Sequence, residues 1–141
     1  MIMHYKKFNN KVMVRIDSGE EIVESLKKIC KKLNINLGTI TGIGATNKAT
    51  IGLYDVNSKK YNSKNITGDH EIAPLIGNIT SMNDEIYVHL HVNLCDIENK
   101  SYGGHLDFAI VSATFEGIID IIEGKIDRTY DEKIGLNLLD I

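Results

Sequence analysis

Residues 85–94 read Glu-Ile-Tyr-Val-His-Leu-His-Val-Asn-Leu, with Ile86, Val88, Leu90, Val92 and Leu94 at even positions and Tyr87, His89, His91 and Asn93 at odd ones. Side chains that alternate with a period of two fall on opposite faces of a strand. The pattern therefore predicts a strand over 86–95 with one apolar and one polar face. Lys11 to Ile16 alternates in the same way and is a second predicted strand. After it the period changes. Ile22, Leu26, Ile29, Cys30 and Leu33 are spaced for one stripe of a helix. Ser18 and Glu21 fit a capping box, so the helix is predicted from about Gly19 to Leu33. Lys27, Lys28, Lys31 and Lys32 lie in its C-terminal half, where cations suit the helix dipole, and Asn34 and Asn36 are stop residues.

The rest of the chain is β-branched and turn-rich. Strands are expected over 39–45, 49–56, 59–66 (weak and polar), 71–82, 106–114 and 115–123. Pro74 and Gly77 make the 71–82 run irregular, bulged or an edge. The tail from Arg128 to Ile141 ends in Leu136, Leu138 and Leu139 and is expected to pack on the body or on another subunit. One helix and several strands joined by short turns indicate a single α+β domain over 1–141, with the main helix packed on a mainly antiparallel twisted sheet.

The polar face of the 86–95 strand carries the candidate chemistry. His89 and His91 share it, roughly 7 Å apart at the backbone. Asp96-Ile97-Glu98-Asn99-Lys100 is turn-like, and Gly103-Gly104-His105 follows. A hairpin centred on Glu98 sets His91 opposite His105 and His89 opposite Asp107, which puts His89, His91 and His105 on one surface. Gly103 and Gly104 let the backbone bend or a ligand approach. Three neutral imidazoles suit a divalent transition metal, zinc first, and leave a fourth position for water, a carboxylate or a substrate. Cys95 has the right parity for a fourth ligand but lies further along the strand.

Composition narrows the alternatives. The chain has 141 residues, 43% of them apolar, enough to fill one core. The formal charge is −3, and Arg15 and Arg128 are the only arginines. That balance gives no electrostatic reason to propose nucleic acid. No apolar run is long enough to span a membrane and no signal peptide opens the chain, so a cytoplasmic protein is expected. Cys30 and Cys95 read as small buried hydrophobes in a reducing compartment. Gly42-Ile43-Gly44-Ala45 lacks the context of a phosphate loop and reads as close backbone packing at a bend. His70 is expected to be exposed and His4 to lie in a flexible start. Glu116 and Asp120 could face a cleft, and no nucleophile-elbow motif is present.

Seven segments in order resemble a known family. They are Arg15-Ile16-Asp17-Ser18-Gly19-Glu20, Gly42-Ile43-Gly44-Ala45, Ile51-Gly52-Leu53-Tyr54-Asp55, Glu71 to Leu75, Gly77-Asn78-Ile79, Val88-His89-Leu90-His91 and Gly103-Gly104-His105-Leu106. Together they resemble the PPC domain of plants and prokaryotes. The resemblance implies an α+β fold around an antiparallel sheet, a homotrimer and, in prokaryotic members, zinc on His89, His91 and His105. Plant members bind DNA through AT-hooks; this chain has no Arg-Gly-Arg-Pro, so that activity is not carried over. The His-x-His strand with a third His is also similar to the metal site of acetolactate decarboxylases, a similarity that covers only the metal strand pair; beside it, Arg15 could bind a carboxylate and Glu116 could move a proton. Two functions follow: a binding or regulatory module that holds a small anionic ligand, or a metal-dependent lyase or hydrolase acting on a small carboxylate or ester. DNA association is a weaker third.

Overall fold

A computed structural model describes residues 3–141. Its elements in chain order are β1 (His4–Phe8), β2 (Lys11–Asp17), α1 (Ile22–Leu33), β3 (Gly38–Asp55), β4 (Lys60–Met82), β5 (Glu85–Cys95), β6 (Ser101–Ile121), β7 (Arg128–Asp131) and β8 (Leu136–Leu139). A six-stranded sheet runs in the order β1-β2-β6-β3-β4-β5, and β5 also pairs with β6. Strands β3, β4, β5 and β6 therefore close on themselves. Every ladder is antiparallel. Strand β6 holds β3 along one edge; along the other it holds β5 at residues 101–105 and β2 at residues 114–120. Among the described residues no helix is long and apolar enough to cross a membrane.

Three pairs of expected strands are each one long strand. In β3, Thr46-Asn47-Lys48 does not end the ladder but bulges out of it. The buried Thr46 hydroxyl donates to the Ile110 carbonyl at 2.6 Å and accepts from the Lys48 amide at 3.3 Å, so a side chain holds the bulge together. In β4 the ladder to β5 slips between Ile72 and Leu75, around Pro74, which has no amide to contribute. The irregularity expected there is present. The edge position is not, because β4 lies between β3 and β5. His4 lies on β1, paired with Arg15, and its Nε2 is 3.0 Å from Asp17. The expected loose start is thus an ordered edge strand.

The helix starts three residues later than expected. Gly19 has φ +87°, and residues 19 and 20 bond to β6: the Gly19 amide to the Val111 carbonyl at 2.8 Å and the Val111 amide to the Glu20 carbonyl at 3.0 Å. Glu21 is the N-cap. Its carboxylate accepts from Val23 N at 3.0 Å, Glu24 N at 2.7 Å and Ala109 N at 3.1 Å. Ser18 makes no cap; its hydroxyl donates to the Ser112 carbonyl. Asn34 ends the helix in the left-handed region at φ 55°. Ile22, Leu26, Ile29 and Cys30 join Val14, Ile16, Leu90, Phe115 and Ile119 in one buried cluster. Burial pushes the Cys30 thiol up to about 12. Cys95 is only half-buried, because it shares the polar face of β5 with His91 and Asn93 while Leu94 beside it is buried in the core.

The glycines of 42–44 behave as the sequence suggests. A Cβ on Gly42 would lie 2.3 Å from the Phe115 ring, and one on Gly44 2.2 Å from the Thr114 carbonyl. The tail forms the β7–β8 hairpin and packs on the body: the Ser81 amide bonds the Ile126 carbonyl at 3.0 Å, and the Tyr54 hydroxyl donates to the Ile134 carbonyl at 2.9 Å.

Candidate metal centre

His91 lies opposite His105, and the register continues through Val92–Gly104, Asn93–Gly103, Leu94–Tyr102 and Cys95–Ser101. It stops there. His89 does not face Asp107; it pairs with Asn78 of β4, while β6 runs on beside β3 with His105 opposite Gly52. The three imidazoles still converge. Ring centroids are 5.1 Å apart for His89–His91, 5.3 Å for His89–His105 and 5.6 Å for His91–His105. The Nε2 atoms of His89 and His91 are 3.2 Å apart, and one nitrogen from each of the three rings lies within 4.8 Å of the others. Zn–N bonds of about 2.0–2.1 Å in a tetrahedron need ligand nitrogens roughly 3.4 Å apart. The donor set therefore fits such an ion with a small closing movement of the rings.

Protonation favours ligation. Burial, then the His105, His91 and Arg128 charges, lower the His89 pKa to about 4. Burial also lowers that of His105, opposed by Asp107. The neutral imidazole that binds metals is thus the resting form of both.

The flanks of the cluster differ. On the His105 side, the Tyr61 hydroxyl donates to Asp107 at 2.6 Å, the Tyr61 ring stands edge-on to His105, and Asp107 Oδ1 is 3.7 Å from His105 Nε2. Burial and the Asp107 contact raise the Tyr61 pKa. A Cβ on Gly52 would come within 2.4 Å of the Tyr61 hydroxyl, so only glycine leaves room for that ring. Gly104 serves backbone approach: a Cβ there would meet the Gly52 carbonyl at 2.7 Å. On the His89 side lies Arg128, buried over the Tyr87 ring. It donates from Nε to Thr80 Oγ1 at 2.9 Å, from Nη1 to the Asn137 carbonyl at 2.9 Å and from Nη2 to Asn78 Oδ1 at 2.8 Å.

Arg15 and Glu116 face each other across β2 and β6. Glu116 is eleven positions along β6 from His105, about 36 Å along the strand at the usual rise per residue. The structure does not bring this pair to the histidines, because β6 changes partner from β5 to β2 between them. Arg15 instead donates to Asp17 at 2.8 Å. The cation beside the cluster is Arg128. Sequence reasoning passed over it; the only available signal was that it is one of two arginines in a lysine-rich chain. His70 is half-buried, donates from Nδ1 to the Gly68 carbonyl at 2.7 Å, stands against Tyr102 and takes no part in the cluster.

The sequence matches the Plants and Prokaryotes Conserved (PCC) domain over residues 3–123. Arg128 lies beyond the matched residues. No protein of curated function matches the chain. Among solved structures, a Bacteroides thetaiotaomicron protein provisionally described as DNA-binding is 37% identical with a TM-score of 0.95, over 98% of this chain and 96% of that one. A metal-containing protein of Archaeoglobus fulgidus is 29% identical with a TM-score of 0.86, over 99% and 98% of the two chains. A plant- and prokaryote-conserved protein of Pyrococcus horikoshii is 29% identical with a TM-score of 0.86, over 99% and 95%. On this match and this fold, the chain belongs to the plant- and prokaryote-conserved domain family.

Proposed function

We propose that the protein is a metal-holding binding module, with zinc or a similar divalent ion on His89, His91 and His105. The observation that carries this reading is the approach of nitrogens from three rings to within 4.8 Å, at a place where burial keeps His89 and His105 neutral. The metal-containing relative from Archaeoglobus fulgidus supports it. A bound ion there supplies Lewis acidity toward an anionic or carbonyl ligand. His91 is exposed and its two partners are half-buried, so the fourth position opens on the outer face of the sheet. An open face suits reversible capture of a small ligand. Elemental analysis of untagged protein tests the reading. Wild type is expected to hold about one metal per chain and His89→Ala to lose most of it; equal content in both rejects the ligand set.

The homotrimer is proposed on the same face. Met13, Ile118 and Ile76 are exposed and follow one another across β2, β6 and β4, with Thr41 of β3 between them, in a row that ends at His91. Cytoplasmic location is proposed from two unpaired cysteines. An enzymatic reading, a metal-dependent lyase or hydrolase on a small carboxylate or ester, draws support from the cation and the carboxylate on opposite flanks of the cluster. The DNA description of the Bacteroides relative is not carried over, since a formal charge of −3 offers phosphates no attraction.

A further inference from the structure

A buried guanidinium ordinarily sits against a carboxylate, because an unpaired charge away from water is costly. Arg128 is 8% exposed, and its hydrogen bonds go to a hydroxyl, a carbonyl and an amide oxygen. Among the described residues no acidic side chain forms an ion pair with it. The neighbouring imidazoles bring no negative charge, and a cation held on them adds positive charge. Asp107, the acid of the site, stands on the far side beside His105 and is engaged by Tyr61. The His89 flank therefore carries an uncompensated positive field.

Asn78 gives that field a direction. A guanidinium only donates, so the oxygen of the Asn78 amide must face Arg128, which fixes the amide's orientation. Its Nδ2 points the other way and has no acceptor among the described residues. Asn78 pairs directly with His89 across β4 and β5, which sets the two side-chain bases about 5 Å apart on one face. Asn78 is only half-buried, so a solute can reach the amide.

We propose that the flank bounded by Asn78 and Arg128 is a subsite for a small oxyanion of the carboxylate class. One oxygen takes the open position of the metal and the other accepts from Asn78 Nδ2. Arg128 is a positioning residue: it turns the amide outward and supplies the attraction. The subsite rests on the metal reading above and adds the class of ligand to it. It also explains why a charge is buried without an acidic counter-ion, which a mere pin for the β7–β8 hairpin would not need.

The test uses the full chain loaded with cobalt(II), checked by elemental analysis and then titrated with acetate while visible absorption is followed. Wild type is expected to give a saturable spectral change. Asn78→Asp keeps the contact with Arg128 and turns it into an ion pair, but replaces the free donor with a negative charge. It is expected to retain cobalt and fold while binding acetate at least about tenfold more weakly. Arg128→Lys keeps the charge but loses the grip on the amide, with an expected loss of at least about threefold. Acetate affinity unchanged in both variants, or a cobalt-loaded wild type that does not respond to acetate, overturns the subsite alone. A wild type that takes up no cobalt overturns the metal reading, and the subsite falls with it.

Discussion

His89 stands in the most positive surroundings of the cluster, with two other imidazoles and Arg128 acting on a half-buried ring. Its pKa of about 4, against an ordinary value near 6.5, has a consequence for stability. Between those pH values the unfolded chain binds a proton that the folded chain refuses. Metal-free protein is therefore expected to melt at progressively lower temperature as pH falls from about 6.5 toward 4, with no contribution from this group above that window. His89→Asn should flatten the dependence; thermal melts across the range check it, and superimposable profiles would contradict it. Gly52 makes a second prediction. Gly52→Ala must displace Tyr61 and with it the Tyr61–Asp107 contact beside His105. Loss of such outer support costs about tenfold in metal affinity, measurable by competition with a chelator. The histidines were legible because strand alternation and one hairpin register are sequence-local facts. Gly52, Tyr61 and Arg128 were not, because their positions depend on how β3, β4 and β7 pair across long separations.

At the level of elements, the helix start shows how a distant strand can override a local motif. Ser18 and Glu21 have the right spacing for reciprocal capping, yet Gly19 and Glu20 are taken up by Val111 of β6, and Glu21 becomes the cap. Glu21→Ala is expected to cost about 1–2 kcal/mol and Ser18→Ala clearly less; chemical denaturation of both variants decides. A larger loss for Ser18→Ala would contradict the assignment. The long strands carry the complementary lesson. Strand runs were visible on either side of Thr46-Asn47-Lys48 and of Thr67-Gly68-Asp69-His70, but small and polar residues look the same in a bulge as in a turn. Only the neighbouring strands, bonded on both sides, show that the chain continues. The α+β class, the single helix and the antiparallel pairing were all readable; where one strand ends and the next begins was not.

On the scale of the whole molecule, the closed set β3-β4-β5-β6 leaves an outer face on which Met13, Ile118, Ile76 and His91 fall in one row. Light scattering is expected to give a mass of about three 15.7 kDa chains, and Ile76→Lys together with Ile118→Lys should lower it, since two charges would be desolvated in any contact there. A monomeric wild type would reject the assembly. All three histidines belong to the single β5–β6 hairpin, whereas β6 finds β2 and β3 only across much longer stretches of chain. Closing a short loop costs less entropy than closing a long one. A cation available during synthesis would thus be captured by the newborn hairpin first. It would clamp the alignment of the one strand against which later segments must arrange themselves.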